Sequence, residues 1–113
     1  MSTINDYPFI KAAAMELAFD SDMINRTITE EQFLAGVEAV IFADGVYEKD
    51  VKAFENWLSA LTDEDRETVA VGEHSEMMEL IAGAPKTDEG TPVANLLDDI
   101  FEYDYYKNRH VGD

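Results

Sequence analysis

The chain has no cysteine, and only eight of its 113 residues are Lys or Arg. The first absence excludes disulfides, thiolate metal sites and a cysteine nucleophile. It fits a reducing compartment, so the expected location is cytoplasmic. No apolar run reaches the roughly 18 residues that a membrane span requires. The start, Met1-Ser2-Thr3-Ile4-Asn5-Asp6, has neither the basic region nor the apolar core of a signal peptide. The scarcity of basic residues carries the most meaning. Twenty-five Asp and Glu outweigh them and set the formal charge at −17. A small domain stays soluble with a net charge of magnitude about 2–8. Charge of this size repels phosphates and anionic lipid, which argues against direct nucleic-acid binding and against membranes. It attracts basic surfaces instead, and a nuclease or a nucleic-acid-binding complex is the kind of partner expected. The plainer alternative is a set of acids that only faces water.

What is present supports a core. Hydrophobic residues make up 46% of the chain, with six Phe, five Tyr and one Trp, which argues against disorder despite the charge. The length fits one domain over residues 1–113. The periodicity is helical almost throughout, so the expected fold is all-α, a small bundle of about four to six helices. Pro8 suits the first turn of a helix over residues 7–20, whose stripe is Ile10, Ala13, Ala14 and Leu17. Thr29 and Gln32 form a capping-box pair, flanked by Ile28 and Phe33 at staple positions, and Val37, Val40 and Ile41 continue the inner face. Asp44-Gly45 is expected to stop that helix, with Gly45 as a left-handed cap. A third helix over residues 48–61 carries Val51, Phe54, Leu58 and Leu61, with Trp57 alongside. Thr62 reads as another N-cap, followed by short helices near residues 66–71 and 75–82 and a turn-rich loop from Gly83 to Gly90. The last helix is expected to start with Thr91 as N-cap and Pro92 in its first turn, burying Val93, Leu96, Leu97, Ile100 and Phe101.

No phosphate-binding glycine loop, nucleophile elbow or H-E-x-x-H motif occurs. The two histidines, His74 and His110, lack partners at metal-ligand spacing. The chain is therefore read as non-catalytic, with no cofactor. Two carboxylate groupings invite closer attention. Asp44, Glu48 and Asp50 around Gly45 are candidate ligands for a hard cation in a turn, though not an EF-hand, since D-x-D-x-D-G is missing. A glycine-capped turn with solvated acids is the plainer reading of them. Asp98, Asp99 and Glu102 line one side of the last helix, and Phe101-Glu102-Tyr103-Asp104-Tyr105-Tyr106 mixes apolar area with charge as interface hot spots do. Asp98, Asp99, Glu102, Tyr103, Asp104, Tyr105 and Tyr106 are thus candidate partner contacts.

Residues 29–44, Thr-Glu-Glu-Gln-Phe-Leu-Ala-Gly-Val-Glu-Ala-Val-Ile-Phe-Ala-Asp, resemble the first helix of the colicin and pyocin DNase immunity proteins. The likeness runs on through the next helix to Thr62 and returns near Glu79-Leu80-Ile81, Pro85-Lys86 and Thr91-Pro92. It implies a small acidic helical protein that binds a basic nuclease beside its active site. It also implies that Glu48, Val51, Lys52, Phe54 and Glu55 sit on the partner-choosing helix, with Glu79 as the acid of the short helix. Two departures stand out. The family's adjacent tyrosines are replaced by Ala82, Gly83 and Ala84, and a helix precedes Thr29. The Asp44-Gly45 turn also looks like that of TerB-like domains. The expected function is an acidic inhibitor of a basic nucleic-acid-acting protein, either a nuclease immunity protein or a phage-type DNA mimic acting on a restriction or CRISPR complex. A cation-binding or scaffolding domain of TerB-like type is the alternative, and a homodimer is compatible with either.

Overall fold

The computed structural model describes residues 3–20, 29–100 and 102. Within them the chain is helical and forms no strand. A 3-10 turn, Ile4–Asp6, leads into α1 (Pro8–Asp20), α2 (Glu30–Ile41), α3 (Glu48–Ala60), α4 (Asp63–Val71) and α5 (His74–Ile81). A final helical stretch, α6, covers residues 95–100. The all-α bundle read from the periodicity is therefore the fold.

Helix α1 is the hub and packs against α2, α3 and α4. Its buried side chains are Ile10, Ala13, Ala14 and Ala18, and such small residues let neighbouring helices approach closely. Leu17, expected in the stripe, is only half-buried. Around α1 the core gathers Phe33, Val37 and Ile41 of α2, Val51, Phe54 and Leu58 of α3, Val69 of α4, and Leu97 and Ile100 of α6. Trp57 stacks on Phe54 with ring centroids 6.0 Å apart.

The helix ends are closed by identifiable groups, because each leaves backbone donors or acceptors unpaired. Thr29 accepts from Gln32 N–H, while the Gln32 side chain accepts from Thr29 N–H, so the capping box forms as read. Ile28, the other half of the proposed staple, lies outside the described residues. Thr62 caps α4 by accepting from Asp65 N–H at 3.1 Å. That cap starts α4 at Asp63, earlier than residue 66.

Two side chains from neighbouring helices cap α1 and α3. The Glu55 carboxylate accepts from Phe9 N–H at 2.9 and 3.1 Å and from Ile10 N–H at 2.9 Å. The Arg66 guanidinium donates to the carbonyls of Leu58 and Leu61 at the end of α3, at 3.1 and 2.7 Å. It also pairs with Asp63 and lies 4.8 Å from the Phe9 ring centroid. A carboxylate at a helix start and a cation at a helix end both match the helix dipole. One corner of the bundle therefore ties α1, α3 and α4 together.

Two turns differ from expectation. Helix α2 ends at Ile41, and Gly45 adopts φ +90° in the turn beyond it rather than as its cap. The start of α6 differs more. Residues 84–94 form a hook instead of a helix start. Thr87 N–H donates to Thr91 C=O at 2.8 Å, Val93 N–H donates to Pro85 C=O at 3.0 Å, and Lys86 bridges Pro92. Thr91 and Pro92 are thus spent closing the hook, and Gly90, at φ +88°, makes its tight reversal. Asn95, Leu96 and Leu97 then enter α6 through i to i−3 hydrogen bonds. The buried stripe Val93, Leu96, Leu97 and Ile100 is as read, while Phe101 lies outside the described residues.

Candidate functional site

The turn before α3 and the hook before α6 face each other across a cleft of about 300 Å³. Val46, Pro92 and Leu96 give it apolar walls, and Asp50, Glu89 and Asp99 give it charge. Tyr47 stands at the rim, 61% exposed. It is the N-cap residue of α3, but its side chain makes no capping bond.

Asp50 is the most unusual group in the cleft. It occupies the first turn of α3 and is only 9% exposed, the one charged residue among the buried ones described. Its backbone N–H donates to Tyr47 C=O at 3.0 Å. Among the described residues its carboxylate has no hydrogen bond or ion pair, whereas the half-buried Glu55 and Glu38 carboxylates both accept backbone N–H groups. A buried charge without a partner is costly, so a site of this kind calls for explanation.

The surroundings keep the cleft negative. Lys49 pairs with Asp88 at 2.8 Å and ties the hook to α3. The hydrogen bond and charge of Asp88 push the Lys49 ammonium above its ordinary value. Lys49 also feels the Asp50 charge, but among the described residues no cation hydrogen-bonds or ion-pairs with Asp50, Glu89 or Asp99 at the cleft. Desolvation raises the Asp99 carboxyl above the usual range, and the neighbouring Asp98 raises it further.

Of the expected contacts on α3, Val51 and Glu55 are used inside the protein, while Glu48 stays exposed. Val51 is 1% exposed and Phe54 fully buried, so neither offers a surface. Glu55 caps α1, and Glu48 pairs with Lys52 at 3.1 Å. The helix that precedes Thr29 is the reason, since α1 packs on α3. Glu79, Asp98, Asp99 and Glu102 are exposed. Tyr103, Asp104, Tyr105 and Tyr106 lie outside the described residues. The cation-site reading is corrected: among the described residues no three His, Asp or Glu side chains can hold a metal. Glu48 and Asp50 are two positions apart on a helix, which turns them about 200° from each other. Glu48 accordingly faces Lys52 beside Tyr7, while Asp50 faces the cleft and Asp44 is exposed in the turn.

Tyr47, Asp88 and Glu89 were not legible as site residues. Nothing local marks them, because the cleft exists only once the hook folds back onto the start of α3. No helix among the described residues is long and apolar enough to cross a membrane. No family model matches the chain, and neither a curated protein nor a solved structure shows significant similarity to it.

Proposed function

We propose that this chain is a non-catalytic inhibitor that captures a basic, nucleic-acid-acting protein by offering it a fixed polyanionic surface. The observation that carries this reading is the run of exposed acids along α4 and α5. Asp63, Glu64, Glu67, Glu73, Glu76 and Glu79 are all exposed on or beside two consecutive helices that pack together. Among the described residues only Asp63 of these meets a cation, Arg66. Carboxylates one helical turn apart lie about 5–6 Å from each other, close to the spacing of backbone phosphates. Helices held by caps and core present such charges in fixed positions, which a disordered acidic tail does not.

Imitation of a nucleic-acid backbone fits better than an immunity-type interface on α3. That helix spends Val51, Phe54 and Glu55 on the core and on α1, and Ala82, Gly83 and Ala84 stand where anchoring tyrosines would be. The proposed targets are basic nucleases and restriction or CRISPR-type complexes.

The test is inhibition of DNA cleavage by a panel of purified basic nucleases and effector complexes at low salt. The expected result is stoichiometric inhibition of at least one, relieved by excess DNA and weakened as salt rises from about 50 to 200 mM. Combining Glu64→Lys, Glu67→Lys and Glu76→Lys should restore cleavage. Absence of inhibition at low salt, or inhibition indifferent to these changes, contradicts the reading.

A further inference from the structure

The cleft beside α3 contains a carboxylate whose burial the fold leaves unexplained. Asp50 sits in the first turn of α3, where the helix dipole favours an acid. That position alone does not require burial, since Glu48 fills the same turn while exposed. Asp50 is 9% exposed, lines the cleft, and meets no donor among the described residues. Glu89 and Asp99 add negative charge around it, and Val46, Pro92 and Leu96 add apolar wall. An anion would be repelled here. A divalent metal would lack ligands, because no three carboxylates converge. A purely apolar ligand would strip the remaining water from Asp50 without replacing it. The group that satisfies every wall is an organic cation on an apolar stem.

We propose that this cleft receives a lysine or arginine side chain of a basic protein partner, its charge meeting Asp50 and its methylene stem lying along Val46, Pro92 and Leu96. This assignment rests on the proposed function for the partner being a basic protein, and on the cleft alone for the cation. Tyr47, exposed at the rim, supplies a face on which a guanidinium or the flanking partner chain packs. The α4–α5 acids then steer the encounter, while the cleft anchors it through a desolvated contact.

The test is an NMR titration of amide shifts in the full chain with butylguanidinium and butylammonium chlorides, referenced to sodium chloride at equal ionic strength. Saturable shifts are expected at Val46, Tyr47, Asp50 and Leu96. Asp50→Asn should weaken binding about tenfold or more, as loss of a charged hydrogen-bond partner does. Asp99→Asn, at the cleft edge, should weaken it less and keeps the test decisive if Asp50→Asn fails to fold. Non-saturating shifts spread over the exposed acids overturn the proposal, as does wild-type binding by a folded Asp50→Asn variant. If Asp50→Asn is unfolded, wild-type binding by Asp99→Asn does the same. A blocked Gly-Arg-Gly peptide should bind more tightly than the free polyamine spermidine, and the reverse order overturns the protein side chain as occupant. These probes need no nuclease, so failure of the inhibition assay and failure of the cleft are separate results.

Discussion

Replacing Glu55 separates a structural carboxylate from a partner-binding one. The start of α1 can be accounted for donor by donor. Pro8 has no N–H, Phe9 and Ile10 donate to Glu55, and Lys11 N–H donates to Tyr7 C=O at 2.9 Å. Glu55→Ala therefore strands two donors in a half-buried place on the hub helix. Hydrogen bonds to a charged group are worth about 1.5–3 kcal/mol each. Water reaches part of this site, so the pair together should cost about 2–3 kcal/mol, above the ~1 kcal/mol typical of a lost cap. For a domain of this size that lowers Tm by roughly 8–20 °C. Glu55→Gln retains an acceptor but loses the charge that suits the helix dipole, at a cost of about 1 kcal/mol. Thermal unfolding followed by circular dichroism at 222 nm reads both. A Glu55→Ala protein that melts within a degree of wild type refutes the capping role. If it also lost inhibition of a nuclease, the immunity-type use of α3 would return.

Four further outcomes follow from the same contacts. Arg66→Ala frees the last carbonyls of α3 and should lower Tm, while Arg66→Lys, unable to serve both carbonyls and Asp63, should recover only part of the loss. Gly45→Ala places a side chain in a left-handed turn at φ +90° and should cost about 1–2 kcal/mol in chemical denaturation; no loss would contradict the turn. Asp99→Asn should raise Tm at neutral pH. Partial desolvation and then the Asp98 charge lift the folded-state pKa of Asp99, an exposed residue, so its ionised form is mildly disfavoured by folding, and the small gain must fade as pH falls below the ordinary carboxylate range. A gain that grows toward low pH would reverse the sign and refute the argument. Finally, a net charge of −17 repels itself, so Tm should rise with sodium chloride; calcium at matched ionic strength should add nothing specific.

The helices were legible because their signals are local. Thr29 with Gln32, Thr62 with its following acids and the stripes of α2 and α3 all lie within a few residues of one another. The hook was misread for the converse reason. Thr91-Pro92 carries a sound helix-start signal, but Thr87, Pro85 and Lys86 compete for the same backbone and win. That Glu55 caps α1 was hidden for a related reason, since sequence does not reveal that α1 lies over α3. The cleft was invisible for the same reason, being made from segments about 40 residues apart, as the Lys49–Asp88 pair shows.

The most direct test of the central claim is the competition between this protein and DNA for one basic nuclease or effector complex, measured across salt. Steady displacement of labelled DNA at equimolar protein, falling as salt rises and abolished by reversing the charges of Glu64, Glu67 and Glu76, is the predicted result. A partner that binds the protein and its DNA at the same time, with affinity insensitive to salt, would contradict it.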